Sequence, residues 1–140
     1  MNLLFFAPVM DRWGKKLFGM LETLNVDVGL ELHRSARSLH RRLCQPLREV
    51  PVAVIYLVRD EDLSRLLSLR ELLLDVRLIV ILPDRETDTT SKGHSFRPRF
   101  LTYGDADPKE IIVVLKGMLK EYSRLTFPAK ERVSSPSVEE

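Results

Sequence analysis

Two residue types that bind metals stand four positions apart, at His40 and Cys44. On a helix this spacing puts both side chains on one face, where they could share a metal ion. A zinc site needs three or four protein ligands, and no companion motif supplies the others. Cys44 is the only cysteine, which excludes a cysteine-rich zinc site and an internal disulfide framework. We therefore predict no metal site, and a small buried Cys44 beside a surface His40.

Arginines form a second group with chemical potential. Arg34, Arg37 and Arg41 recur at helical spacing and share one predicted helix face, with Arg42 and Arg48 close by. Such a basic face could meet an acidic partner or a phosphate backbone. The chain as a whole carries 22 basic and 20 acidic residues, a formal net charge of only +2. This balance disfavours nucleic acid as a partner and favours a solvated helix face.

Sequence motifs for common catalytic and cofactor sites are missing. The chain contains no phosphate-binding loop, dinucleotide fingerprint, nucleophile elbow or zinc-protease motif. We therefore predict no catalytic residues and no cofactor, and a protein that is not an enzyme.

The hydrophobic pattern is organised around residues 50–58, which read VPVAVIYLV before the chain breaks into RDED. A short apolar run rich in β-branched residues and bounded by charge is typical of a strand buried on both faces. Residues 2–6, 77–82 and 99–103 are predicted as further strands. Residues 26–32 alternate apolar and polar positions instead, which predicts a half-exposed strand near a sheet edge.

Stretches with helical spacing lie between these strands, the first of them capped by Asp11. The predicted helices cover residues 11–24, 35–44, 60–74 and 107–122. Residues 84–98 are polar and have no clear period, which predicts a long loop. The alternation predicts an α/β protein of three α/β/α layers around a five-stranded parallel sheet. We choose the flavodoxin-like strand order 2-1-3-4-5, with the fourth helix, between the fourth and fifth strands, shortened or absent.

The chain length fits one domain, which we place at residues 1–124. Residues 125–140 are rich in Pro, Ser and Glu and are predicted to form a disordered C-terminal tail. No apolar run reaches the roughly 18 residues that span a bilayer. The apolar start also lacks the basic segment of a signal peptide. We therefore predict a cytoplasmic protein with no membrane partner.

The order, lengths and hydrophobic pattern of these elements resemble the receiver domain of bacterial response regulators over residues 2–122. The most recognisable part is residues 100–112, FLTYGDADPKEII, which is similar to the last strand and last helix of receivers. Within it, Asp107 is a good N-cap and Pro108 suits the first helical position. The resemblance implies a signalling domain with a flavodoxin-like fold.

Receivers carry their phosphorylation chemistry at the strand ends, and this chain departs from the family at each of those positions. The family has an acidic pair after the first strand, an acceptor aspartate after the third, a serine or threonine after the fourth, and a lysine followed by proline after the fifth. In the same order this chain has Ala7 and Pro8, Leu57, Pro83, then Tyr103 and Gly104. Mg²⁺ needs oxygen ligands, and leucine cannot accept a phosphoryl group. The resemblance therefore implies a degenerate pseudo-receiver without a phosphoacceptor, for which Asp60 is the weak candidate substitute.

Two classes of function follow. The first is a non-enzymatic pseudo-receiver that acts as a phosphorylation-independent signalling or regulatory module and binds a protein partner. The alternative is a small flavodoxin-like domain that binds a nucleotide or other small ligand at the strand C-termini, where open parallel sheets place their ligands. The missing acidic and phosphate-binding residues favour the first.

The last predicted helix has a wider apolar arc than a core stripe requires. If the preceding helix is lost within residues 84–98, the sheet near the fourth and fifth strands is also less covered. Contiguous exposed apolar surface marks an interface. This predicts a homodimer or partner contact through Phe100, Ile112, Val113 and Leu119. The alternative is that the loop folds back over the sheet and the wide arc is core.

Overall fold

Strands and helices alternate along the computed structural model, which describes residues 2–24, 28–48, 50 and 52–126. The five strands of this part are β1 (Asn2–Phe6), β2 (Gly29–His33), β3 (Val52–Tyr56), β4 (Arg77–Leu82) and β5 (Phe100–Tyr103). Its six helices are α1 (Arg12–Glu22), α2 (Ala36–Leu43), α3 (Asp60–Leu67), α4 (Arg70–Leu73), α5 (Thr87–His94) and α6 (Pro108–Thr126). None of these helices is long and apolar enough to cross a membrane.

The strands form one parallel sheet in the order β2-β1-β3-β4-β5, which confirms the predicted architecture. All five residues of β3 are buried, because β3 pairs on both sides and is covered on both faces. The edge strand β2 is only partly buried, as its alternating sequence predicts. Val26 and Asp27, at the start of that predicted strand, lie outside the described residues.

Successive strand residues point to opposite faces, so the sheet divides the apolar side chains into two cores. On one face α1 and α6 pack over the strands, with Phe5, Val54 and Ile79 among the buried side chains. On the other face α2, α3 and α4 contribute the helix side chains that pack over Ile55 and Val80. Full burial of each such side chain stabilises the fold by roughly 1.5–3 kcal/mol, so both faces must stay covered.

The predicted single helix over residues 60–74 is wrong in one respect, because it is broken into α3 and α4. The Ser68 hydroxyl donates to the Arg65 carbonyl at 2.7 Å, and the Leu69 N–H donates to the Leu66 carbonyl at 2.8 Å. These contacts tighten the chain into a turn, after which Leu73 is buried in the same core as Leu69.

The predicted loop over residues 84–98 is also wrong, because it contains the two-turn helix α5. This helix is short, as expected, but it is present and lies against β4 and β5. Only Thr89 and Gly93 of α5 are buried, so the segment shows no apolar period in its sequence. A methyl group at Gly93 would lie 2.7 Å from Leu82 Cδ1 and 3.0 Å from Leu101 Cδ1. The glycine therefore allows α5 to approach the sheet closely.

The C-terminal helix extends further than its sequence pattern predicts. It ends at Thr126 rather than near residue 122, so the predicted domain limit at residue 124 falls inside α6. Residues 127–140, which make up the rest of the predicted disordered tail, lie outside the described residues.

A hydrogen-bond network fastens the edge strand β2 to its neighbours. The Glu31 carboxylate accepts from Asn2 Nδ2 on β1 at 2.8 Å and from Arg42 Nε on α2 at 2.8 Å. His33 Nε2 lies 3.5 Å from the same carboxylate, and His33 Nδ1 lies 2.6 Å from the Ser38 hydroxyl. Partial burial raises the pKa of Glu31, but the hydrogen bonds and charges of Arg42 and His33 outweigh it, so the pKa is lowered overall.

Gly93→Ala tests the close packing of α5. Alanine improves helix propensity by about 1 kcal/mol, but overpacking against buried Leu82 costs about 1–3 kcal/mol. We expect the free energy of unfolding in urea to fall by about 1 kcal/mol. The matched control is Gly117→Ala on α6, where a methyl group meets no atom within 4 Å. That change should stabilise by about 0.5–1 kcal/mol, and stabilisation by both changes would contradict the close approach.

Glu31→Gln tests the network at β2. A lowered folded-state pKa means that the ionised carboxylate stabilises the fold above the ordinary glutamate pKa of about 4.3, and that this stability is lost as the pH falls below it. We expect urea unfolding at pH 7 to show a loss of about 1.5–3 kcal/mol, the usual size for hydrogen bonds to a charged group. The difference from wild type should shrink at pH 3.5. Glu71→Gln, at an exposed position of α4, is the control, and an equal deficit at both pH values would refute the ionic origin.

Candidate functional site

The carboxyl ends of the strands meet at one edge of the sheet, where open parallel sheets bind ligands. Ala7 follows β1 and Leu57 follows β3, and both side chains are fully buried. Their N–H groups continue the sheet, since Ala7 donates to His33 O and Leu57 to Ile81 O, each at 3.0 Å. Ala7 belongs to the α1–α6 core and Leu57 to the opposite core. Neither position offers a side-chain oxygen to a metal ion or a phosphoryl group.

The carboxylate of Asp11, just before α1, already has hydrogen-bond donors within the protein. Its oxygens accept from the Tyr56 hydroxyl at 2.9 and 3.0 Å, and Oδ1 also accepts from the Gly14 N–H at 2.9 Å. These contacts confirm Asp11 as the predicted N-cap, and they add Tyr56 as a partner that the sequence did not reveal. Burial raises the pKa of Tyr56, and the Asp11 carboxylate raises it further, so the phenol stays protonated. The Trp13 ring lies 4.7 Å from the Tyr56 ring and closes this side.

After β3, the acidic side chain that enters the structure is Asp62 rather than the candidate Asp60. Asp60 is an exposed residue in the first turn of α3. Asp62 is only 3% exposed and accepts from Arg59 Nε at 2.9 Å and Arg59 Nη2 at 3.1 Å. Sequence reasoning missed Asp62, although its spacing of three from Arg59 at a helix start was a signal for this pair.

At the ends of β4 and β5, Tyr103 is covered by an arginine. The Arg85 guanidinium carbon lies 4.4 Å from the centre of the Tyr103 ring. Arg85 also donates to both oxygens of Asp105, at 2.6 and 3.0 Å, and this hydrogen bond holds the pKa of Asp105 below its ordinary value. The Tyr103 hydroxyl lies 3.3 Å from the Thr90 hydroxyl on α5. The side chains at the ends of β4 and β5 are therefore already in contact with one another.

His40 on α2 and Cys44 just after it do lie together, with Cys44 Sγ 3.9 Å from His40 Nε2. The prediction of a buried Cys44 is wrong, since the side chain is exposed just beyond the end of α2. Within the residues that the structure describes, no group of three or more His, Cys, Asp or Glu side chains is arranged to hold a metal ion.

The three arginines of the predicted basic face, Arg34, Arg37 and Arg41, do not form one surface in the structure. Arg34 precedes α2 and reaches back to the end of β1, where Nε donates to Ala7 O at 2.7 Å and Nη2 to Pro8 O at 3.3 Å. Arg37, in the first turn of α2, lines a cavity together with Arg34. Arg41 is exposed and does not line this cavity.

The predicted interaction residues also separate. Phe100 and Val113 line a groove of about 370 Å³ between β5 and α6, and Val113 is 70% exposed. The predicted exposure of Leu119 is wrong, because its side chain is only 8% exposed and packs in the α1–α6 core. Ile112 is partly buried against that core and does not line the groove. Most of the wide apolar arc is therefore core, and the β5–α6 groove is its exposed remainder. Its wall is formed by Phe100, Lys109, Glu110, Val113 and Val114.

Comparison with known proteins identifies the fold. No protein-family model matches the sequence, and no curated protein matches it. A response regulator receiver protein from Pseudoalteromonas atlantica is similar in structure, with a TM-score of 0.69 at 13% identity, over 87% of this chain and 99% of that one. A CheY-like receiver domain from Methanospirillum hungatei JF-1 gives a TM-score of 0.68 at 10% identity, over 89% and 97% of the two chains.

A third similar structure is the beryllofluoride-activated NtrC4 receiver domain, described as a dimer. It matches with a TM-score of 0.64 at 16% identity, over 87% of this chain and 98% of that one. Near-complete coverage of each of these domains shows that the likeness extends over the whole receiver unit. The chain therefore has the fold of response-regulator receiver domains.

Proposed function

We propose that this chain is a pseudo-receiver, a non-enzymatic module that acts in cytoplasmic signalling or regulation by binding protein without being phosphorylated. The observation that carries the proposal is the carboxyl edge of the sheet, where Ala7 and Leu57 are core residues. Pro8, Pro83 and Tyr103 take the remaining positions at which the family resemblance places phosphorylation chemistry.

The physical chemistry of phosphoryl transfer supports this reading. Mg²⁺ is held by oxygen ligands, and the carboxylate nearest to Tyr56, that of Asp11, is engaged by two donors. Asp60 lies on the exposed start of α3, beyond the buried Leu57. Ala7, Pro8, Leu57 and Pro83, at the neighbouring strand ends, offer no side-chain oxygen that could share a metal ion with this carboxylate.

The first test is direct phosphorylation. We expect no stable acyl phosphate after incubation with acetyl phosphate and Mg²⁺, measured by intact-protein mass spectrometry. A receiver that retains its acceptor aspartate serves as the positive control in the same mixture. A phosphorylated peptide containing Asp60, absent from the Asp60→Asn variant, would overturn the proposal.

For the binding surface, we propose that the β5–α6 groove contacts a second copy of the chain. The groove exposes the apolar side chain of Val113 beside Phe100, and the exposed neighbours Lys109 and Glu110 also line it. A two-fold axis near these two residues lets each lysine meet the glutamate of the other copy, as a self-complementary interface requires. The dimeric NtrC4 receiver is a precedent within the same fold.

Val113→Glu tests this interface. Burying an unpaired carboxylate at the centre of an apolar contact is costly, so the variant should be monomeric at concentrations where wild type is dimeric. Molar mass from light scattering at high micromolar concentration is the measurement. Leu74→Glu is the matched control, because Leu74 is also an exposed large apolar side chain. It is 39% exposed and lies directly after α4. It should leave the dimer intact. A monomeric wild type would remove the homodimer.

A further inference from the structure

A second cavity lies at the carboxyl edge of the sheet, on the side covered by α2 and α3. Its volume is about 270 Å³, and its wall includes Phe6 and Pro8 from the end of β1 and Ser35 and Ala36 from the start of α2. The strand order reverses direction between β1 and β3, because β2 lies to one side of β1 and β4 to the other side of β3. Open α/β sheets bind ligands in the crevice at such a switch point.

The charge of this cavity is strongly unbalanced. Four arginines and one aspartate line it, namely Arg34, Arg37, Arg59, Arg65 and Asp62. Asp62 pairs with Arg59 at 2.9 Å and lies 3.6 Å from Arg65 Nη1. Glu61, outside the wall, lies 3.4 Å from Arg59 Nη1. Counting both carboxylates against four guanidinium groups leaves two positive charges without a counter-charge.

The excess falls on the α2 side of the cavity. Arg34 donates to two backbone carbonyls, which fix the side chain but do not neutralise its charge. Arg37 makes no hydrogen bond or ion pair with any residue that the structure describes. The backbone N–H groups of the first turn of α2, at Ala36 and Arg37, also lack intrahelical acceptors. Four arginines and the start of α2 therefore line one concave surface, where the field is focused.

We propose that this cavity binds a small anion through a phosphate group, either free phosphate or a small phosphate monoester. A phosphate dianion offers several acceptor oxygens to converging donors, and a guanidinium fork matches two of them at once. Arg37 is the main ligand because its donors have no partner within the described part of the chain, and Arg34 is the second, held in place by its carbonyl contacts. Asp62 keeps Arg59 folded against α3 and limits the charge of the empty cavity.

The experiment titrates the full-length protein with inorganic phosphate and follows binding by isothermal titration calorimetry and the melting temperature. Sodium chloride at matched ionic strength is the salt control. We expect saturable binding that raises the melting temperature beyond the chloride control. Arg37→Gln should weaken binding about tenfold, the equivalent of about 1.4 kcal/mol. Arg41→Gln, one turn further along α2 with the same loss of charge, should bind phosphate like wild type.

Further outcomes decide the chemistry. Adenosine monophosphate that binds more tightly than inorganic phosphate would support the monoester, and equal affinity would support free phosphate. Tighter binding of malonate would overturn the phosphate assignment. Equal weakening by Arg37→Gln and Arg41→Gln, or no binding beyond the chloride control, would overturn the site itself.

Arg37 has no described partner, so circular dichroism of Arg37→Gln should match wild type. The cavity is separate from the β5–α6 groove, so Val113→Glu should still bind phosphate.

Discussion

Burial of β3 on both faces is the constraint on which the rest of the structure depends. Each of its residues is buried, and alternate side chains enter opposite cores. Leaving either face open would expose several side chains worth roughly 1.5–3 kcal/mol each. This need explains why helices of such different composition cover the sheet, from the apolar α6 to the hydroxyl-rich α5. The same need at β4 and β5 accounts for α5, which is folded although its own sequence favours a loop.

The same constraint extends one residue past the strands and decides what the carboxyl edge can do. Ala7 and Leu57 continue the sheet through their N–H groups, so their side chains belong to the cores. The polar side chains near this edge form two pairs instead. Asp11 and Tyr56 lie on one side, and Arg59 and Asp62 lie on the other. In these two groups each carboxylate already has a donor within the protein. These carboxylates are therefore already bonded within the protein, where a receiver would need open oxygen ligands.

Sequence reasoning recovers what depends on local pattern and misses what depends on tertiary contact. The strand order follows from apolar runs that alternate with helical periods, and Asp11 from capping chemistry. Helix α5 has no such signal, because a glycine against Leu82 packs it rather than an apolar stripe. Tyr56 acquires its role only when β3 meets the start of α1, whereas the pair of Arg59 and Asp62 is local and carries a spacing signal in the sequence. The sequence pattern predicts Leu119 at the surface, because an apolar arc does not show how much of it the sheet will cover.

The two proposed surfaces use the two faces of the sheet differently. The β5–α6 groove lies at one edge strand and is apolar at its centre, so it suits a contact governed by burial. The arginine-lined cavity lies beside β1 and α2 and is governed by charge. Arg34, just before α2, donates to the backbone at the end of β1, so the fold itself holds this part of the cavity wall in place. A side chain held in this way loses less conformational entropy on binding than a flexible surface arginine does, so Arg34 contributes a pre-arranged charge to the proposed site.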